Sequence, residues 1–346
     1  MKVLVTGANG HVGFNLCQAL LARGGYEVRA SVRSLADGTK TAPLRALGGV
    51  ELAALDVRDR AQFDAALKGV EILFHVAATY TVVTHGEAET QEMVRDSVEG
   101  VEVALGAAGR AGVRRVVLTS SVVTLPLRRP GEPPATEADW ASDLRVAYFR
   151  AKTEAERTAW RIAERLRLDL VTVLPGGVGG PGFRRRTPTI DLLEGLMLGS
   201  LRFGAPRLNF TYVDARDAAD AHILAAEKGV SGRFIASNEV SPSFMEFSRT
   251  LHDIDSAVPA APMYIPAFMN RFLPWIDAAN AMLIGSPRFA TPEAVACVDG
   301  RVYSVSSERA RRELGWAPKF TLRESLAETM QAIRALRRAE GKRRMA

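Results

Sequence analysis

Apolar residues fall in short, nearly unbroken runs through the first half of the chain. Lys2–Thr6, Val28–Val32, Val50–Leu55, Ile72–Val76, Arg115–Thr119 and Leu170–Leu174 are rich in Val, Leu and Ile and lack strict alternation. That is the pattern of strands buried on both faces. Between them apolar residues recur at helical spacing: Val12, Leu16, Ala19 and Leu20; then Phe63, Ala66 and Leu67; then Val94, Val98, Val101 and Leu105. Repeated strand–helix–strand units predict an α/β fold, a Rossmann-like doubly wound parallel sheet covering residues 1–175. Beyond Pro175, Gly176, Gly177, Gly179, Gly180, Pro181 and Gly182 read as a hinge rich in breakers. The shorter, mixed segments of 176–346 predict mainly a smaller C-terminal substrate-binding lobe, with some segments returning to the first domain. The apolar stretch from Pro259 to Ser286 reads either as lobe core or as the wall of an apolar pocket.

Composition narrows the class. The chain has 346 residues, 47% hydrophobic and 24% charged, as in ordinary globular proteins. No run of about 18 apolar residues predicts a membrane span, and the N-terminus lacks the apolar core of a signal peptide. The expected location is cytoplasmic. Cys17 and Cys297 are too few for a disulfide framework and lack metal-ligand spacing, so both read as buried thiols and no metal is expected. The net charge of +6 is scattered, apart from Arg184-Arg185-Arg186 and the tail from Arg337 to Arg344. Nucleic-acid binding is not expected. The tail reads as solvated; the first cluster reads as an exposed loop or as a contact for a carboxylate or phosphate.

The first strand ends in Thr6-Gly7-Ala8-Asn9-Gly10-His11-Val12-Gly13. Glycines at this spacing, between a strand and a helix, let backbone approach a diphosphate, with free N–H groups at the helix start. The second strand reads Val28-Arg29-Ala30-Ser31-Val32-Arg33. Val32 stands where an NAD enzyme carries an acid; Arg33 follows, and Lys40 adds a second cation. Together they point to a 2′-phosphate and hence to NADP(H); Asp37, in the loop beyond, is discounted. Asp56, with Val57, is placed for the adenine amine or for a helix cap, and Asp59 is another candidate cap. Val76, Ala77 and Ala78 are small enough for a cofactor to lie close. His75 reads as a packed strand-end residue, and His85 carries no assignment. Thr119, Pro175, Gly176 and Val178 complete the expected cofactor contacts.

Tyr148-Phe149-Arg150-Ala151-Lys152 spells Y-x-x-x-K. In a helix the phenol and the ammonium share a face, and the cation favours phenolate. Such a tyrosine can exchange a proton with a substrate oxygen. Upstream, Thr119-Ser120-Ser121 ends the fifth strand, on the edge that faces the ligand crevice. One serine of the pair is expected to cap backbone and the other to hold the substrate oxygen.

In combination these features resemble the extended short-chain dehydrogenase/reductase superfamily over nearly the whole chain. Val28 to Arg33, Phe74-His75-Val76-Ala77 and Thr119-Ser120-Ser121 resemble its dihydroflavonol reductase and cinnamoyl-CoA reductase branch, and also related bacterial proteins described as hopanoid-associated sugar epimerases. The resemblance implies Ser121, Tyr148 and Lys152 as catalytic residues, with Tyr148 and Lys152 also touching the cofactor, and Arg33 and Lys40 on the 2′-phosphate. Ser306 to Trp316 is similar to the superfamily's late structural helix motif. Arg216-Asp217 departs from the paired acids common there.

The activity expected is NADPH-dependent reduction of a ketone or aldehyde, reversibly alcohol oxidation, on a hydrophobic small molecule. Met263, Phe268, Met269, Phe272 and Trp275 suggest that substrate's character, and the loop from Val122 to Asp139 is expected to shape its choice. Nucleotide-sugar epimerisation or dehydration is the alternative on the same fold. Val122-Val123 stand where dehydratases resemble one another in carrying acids, and Val173-Leu174-Pro175-Gly176 resembles the reductases. A non-catalytic NADP-binding protein is a third reading, against which the retained serine, tyrosine and lysine argue. Superfamily members often pair through the fourth and fifth helices, whereas the reductase branch includes monomers, so the resemblance leaves a homodimer open.

Overall fold

The structure, a computed structural model, describes residues 1–78, 86–285, 288 and 290–345. Its strands are β1 (Lys2–Thr6), β2 (Glu27–Val32), β3 (Val50–Ala54), β4 (Ile72–His75), β5 (Arg115–Thr119), β6 (Leu170–Pro175), β7 (Gly177–Gly179), β8 (Tyr212–Asp214) and β9 (Gly232–Ala236). The helices are α1 (His11–Arg23), α2 (Gly38–Arg45), α3 (Arg60–Ala66), α4 (Glu87–Ala111), α5 (Ala147–Leu166), α6 (Pro188–Met197), α7 (Ala215–Glu227), α8 (Phe244–Ile254), α9 (Leu273–Ile284), α10 (Pro292–Val298) and α11 (Leu322–Met345).

Seven strands form one sheet in the order β3-β2-β1-β4-β5-β6-β9, and every pairing is parallel. The unbroken apolar runs follow from burial on both faces. Val3, Val5, Val28 and Ala30 pack under α1 and α7 with Leu16, Cys17, Leu20 and Ile223. Leu4, Leu73, Val116 and Leu118 face the other way, against Phe63 of α3, Leu105 of α4 and Ile162 of α5. The chain reverses direction between β1 and β4, which opens a crevice at their C-terminal ends.

Beyond β6 the chain leaves and re-enters this layer. β9 joins the sheet beside β6, in the register Val171 to Gly232 through Pro175 to Ala236. α6, α8 and α11 build a separate core from Ile190, Leu193, Phe247, Leu251, Leu326 and Met330. The segment read as a hinge instead contains β7, paired with β8. Its glycines serve packing: a Cβ at Gly177 would collide with Phe210, and one at Gly179 with Tyr212. Arg216-Asp217 and the late motif are structural partners. The Trp316 indole N–H donates to the Asp217 carbonyl at 2.8 Å, and the Asp217 carboxylate accepts from the backbone of Lys319 and Phe320. Arg216 lies between Asp214 and Glu328. Cys17 and Cys297 are buried thiols, pushed up by burial to about 12 and about 11. No helix among the described residues is long and apolar enough to cross a membrane.

Candidate active site

The crevice between β1 and β4 opens into a cleft of about 520 Å³. Thr6 fastens its floor. Its hydroxyl accepts from the N–H groups of Val76 and Ala77, both at 3.0 Å, and so donates its own proton to His75 Nδ1 at 3.1 Å. Burial first, then the Lys152 charge, lowers His75 to about 4. It is a neutral, packed residue carrying its proton on Nε2. His85 lies outside the described residues.

The glycine loop is shaped for close approach. Gly7 has φ of +63°, and a Cβ there would sit 2.9 Å from Ala77 Cα. A Cβ on Gly13 would strike the Gly7 carbonyl. No side chain caps α1, so the amides of its first turn remain for an anion. Gly7, Asn9, Gly10, His11, Val12 and Gly13 all line the cleft. His11 is buried; its Nε2–H donates to the Pro181 carbonyl at 3.0 Å, and desolvation lowers it to about 4.

Arg33 and Lys40 line the far end of the cleft, past the last residue of β2, Val32. Lys40 is 2.7 Å from Asp37. Asp37 caps α2 by accepting from Thr39 and Lys40 N–H, and its contact with Lys40 holds its carboxyl down at about 2. Exposed pairs of this kind are weak, so Lys40 can exchange Asp37 for a stronger anion. Val57 and, beside it, Leu55 line the cleft, but Asp56 does not. Its carboxylate turns to Arg33 at 3.9 Å and Arg58 at 3.8 Å and accepts from Arg58 N–H. The cap of α3 is Asp59.

Val76, Ala77, Ala78, Thr119, Pro175, Gly176 and Val178 line the middle of the cleft together with Ser121, Tyr148 and Lys152. Tyr148 is the second residue of α5, whose first turn has no side-chain cap. Tyr148 thus belongs to the positive first turn of the helix. One turn on, the Lys152 ammonium donates to the Thr119 carbonyl at 3.2 Å. Burial pulls Lys152 down to about 8, with Glu156 opposing.

The serine pair divides its work. Ser120 donates to Glu156 at 2.6 Å, in a buried cluster where Glu156 also accepts from Thr172 at 2.8 Å and pairs with Arg233 at 3.0 Å. Ser121 Oγ lines the cleft and accepts from Val123 N–H at 3.3 Å. Both serines border the cleft; backbone capping falls to Ser121, and the Ser120 hydroxyl is held by a carboxylate. Sequence reading missed Glu156 and Arg233. A signal existed for the first, since Tyr148, Lys152 and Glu156 recur every fourth residue.

The arginine triplet splits. Arg184 lies over the Phe14 ring and Arg186 pairs with Asp191, Glu194 and Glu340. Arg185 lines the cleft, its guanidinium 3.7 Å from where a Gly10 Cβ would stand. Of the loop from Val122 to Asp139, only Val122 and Val123 line the cleft; Arg128 and Ala135 are bridged to Val302 and Val305. The apolar wall is corrected too. Leu273, Ile276, Asp277 and Asn280 face inward, whereas Met263, Phe268, Phe272 and Trp275 are exposed and, like Met269, do not line the cleft.

Residues 3–236 match the NAD dependent epimerase/dehydratase family. The chain belongs to that family. Among its relatives, within the extended short-chain dehydrogenase/reductases, are reductases. The chain is 37% identical over 248 residues to sterol demethylase protein B of Methylococcus capsulatus, covering 69% of this chain and 70% of that protein. It is 34% identical over 254 residues to dihydroflavonol 4-reductase of Zea mays, covering 68% and 70%. The crystal structure of gox2253 superposes with a TM-score of 0.80 at 29% identity, covering 96% of this chain and 98% of that one. The fold is also shared with the yeast methylglyoxal/isovaleraldehyde reductase Gre2 complexed with NADPH, at TM-score 0.72, 23% identity and 97% and 99% coverage. UDP-glucose 4-epimerase of Thermotoga maritima with UDP-glucose gives 0.74, 22% and the same coverage. The family's fold thus carries both reductases and epimerases.

Proposed function

We infer that this family member reduces a ketone or aldehyde carbonyl on a hydrophobic small molecule at the expense of NADPH. One observation carries the reading: Tyr148, Lys152 and Ser121 wall the same cleft as the glycine loop, with Lys152 anchored on the end of β5.

The residues present fit a dinucleotide. Gly7 and Gly13 leave space that any Cβ would fill, and the uncapped start of α1 suits a diphosphate. Arg33 and Lys40, with no acid at the end of β2, favour a 2′-phosphate. Arg185 adds a cation beside the diphosphate end. When bound, NADPH supplies hydride to the carbonyl carbon. Tyr148 gives the oxygen its proton, Lys152 and the start of α5 stabilise the phenolate left behind, and Ser121 fixes the oxygen by hydrogen bonding. Residues 1–175 hold most of the cofactor in this reading, with Gly176, Val178 and Arg185 completing its contacts. The substrate lies among groups donated mainly from 176–346: Leu192, Leu208, Ile276 and Val298, with Val122 and Val123 opposite. These apolar groups favour a hydrophobic molecule, with Asn209, Asp277 and Asn280 as the polar groups of the same wall.

The test follows NADPH and NADH oxidation against aryl, alicyclic and flavonoid-like carbonyls. Tyr148→Phe should lower turnover by about 10²–10⁴-fold while NADPH still binds. Tight NADPH binding without turnover of any carbonyl would remove the proposal.

A further inference from the structure

Helix α9 turns large apolar residues to its outer side. Asp277 and Asn280 are buried at 6% and 9% exposure, whereas Trp275, Met282 and Leu283 on the opposite face are 76%, 87% and 77% exposed. The two polar residues are held inward, beside Leu273 and Ile276, by hydrogen bonds: Asp277 accepts from Ala290 N–H at 3.2 Å, and Asn280 donates to the Ser200 carbonyl at 3.2 Å. The second bond ties α9 to the turn bearing Phe203, itself 78% exposed. Backbone bonds between Ala205 and both Met263 and Ile265 bring in the next segment. Exposed Phe268 and Phe272 precede α9. The result is an apolar surface of three adjoining segments on the outer side of the cleft wall, of a kind that marks an interaction site.

Its charges choose the occupant. Arg202 lies over Phe203 at 4.9 Å, Arg207 over Tyr264 at 4.8 Å, and Arg271 over Phe272 at 4.8 Å. The segments 199–210 and 259–285 hold no acidic residue except the buried Asp277. A second copy docking face to face would set these arginines against each other. An anionic lipid surface instead accepts both features, aromatic and aliphatic side chains at the acyl boundary and arginines at the headgroups. At twelve residues α9 is too short to span a bilayer and suited to lie in its interface.

We propose that this face, centred on Trp275, Met282 and Leu283, docks the protein peripherally on anionic lipid bilayers, with the cleft wall against the membrane. The inference goes beyond the reductase reading and does not depend on it. In flotation with vesicles of phosphatidylglycerol and phosphatidylcholine, the full chain should rise with the lipid. With phosphatidylcholine alone binding should fall by about two orders of magnitude, the loss of three arginine contacts with anionic headgroups. Trp275→Ser with Leu283→Ser should abolish flotation while leaving the melting temperature unchanged, and Arg202→Gln, Arg207→Gln and Arg271→Gln together should mimic the neutral vesicles. Absence of wild-type flotation would overturn the proposal, as would flotation undiminished in the Trp275 and Leu283 variant. A wild-type dimer that this variant splits into monomers would give the face to a second copy instead. No arm uses cofactor or carbonyl substrate, so failure here is separable from failure of the reductase reading.

Discussion

Lys152 follows Tyr148 by one helical turn and lines the same cleft, and desolvation draws its ammonium down to about 8. Its positive charge, which favours the phenolate formed when Tyr148 gives up its proton, is therefore lost as pH rises through about 8. Reductive turnover should be level below that point and decline above it; a pH profile flat to pH 10 would refute this role. Two other residues separate the halves of the cofactor. Arg33→Ser should raise the Kd for NADPH by roughly 10–100-fold, as expected for a charge-assisted contact of about 1.5–3 kcal/mol, and leave NADH untouched. Arg185→Gln should weaken both by similar factors, because the diphosphate is common to them. Titrations of the two variants with the two nucleotides check both statements. Arg33 was readable in the sequence because it follows the end of a strand. Arg185 was ambiguous: nothing local distinguishes it from Arg184 and Arg186, and only the path of the chain brings it beside Gly10.

Between elements, the Glu156–Arg233 pair joins α5 to β9 and holds Ser120. Arg233 also donates to the carbonyls of Glu137 and Asp139 and to Thr124, and lies 3.7 Å over the Trp140 ring. Arg233→Met would leave the Glu156 carboxylate buried without its cation. A loss of about 3–5 kcal/mol is expected, against no more than about 1 kcal/mol for Arg110→Ala, which breaks an exposed pair with Asp64. Denaturant melts of the two variants make the comparison. This pair shows where sequence reading stops. Glu156 continues the four-residue spacing of Tyr148 and Lys152, but Arg233 meets it only because β9 returns beside β6. α9 fails differently. Its large apolar residues suggested a pocket wall, yet Trp275, Met282 and Leu283 face outward while Asp277 and Asn280 bond backbone on the inner side. The first six strands, by contrast, were legible, since burial on both sheet faces demands continuous apolar runs; β7, β8 and β9 were not.

Across the whole molecule, three buried histidines set the acid limit. His11, His75 and His222 are each lowered to about 4, in every case chiefly by burial. His222 is locked neutral, donating from Nδ1 to the Ala218 carbonyl at 2.7 Å and accepting from the Thr119 hydroxyl at 2.7 Å. The unfolded chain binds protons at these residues near pH 6.5, whereas the folded one waits until about 4. Stability should therefore fall as pH drops from 6.5 to 4 and change no further from this source below it. Each histidine contributes roughly 3 kcal/mol, together comparable to the net stability of a typical domain. Melts across this range should show uptake of up to three protons on unfolding; constant stability would contradict the buried neutral assignment.

At the same scale, the central claim is that cofactor loop, cations and Tyr148 form one cleft performing net reduction, as opposed to the transient oxidation that an epimerase uses. Isotope transfer tests it most directly. With NADPH deuterated at C4 of the nicotinamide and a carbonyl compound found to turn over, deuterium should appear on the carbinol carbon of the product, one per NADP⁺ formed. Tyr148→Phe should form neither. A sugar nucleotide epimerised with no net consumption of NADPH, and no carbonyl compound labelled, would contradict the account.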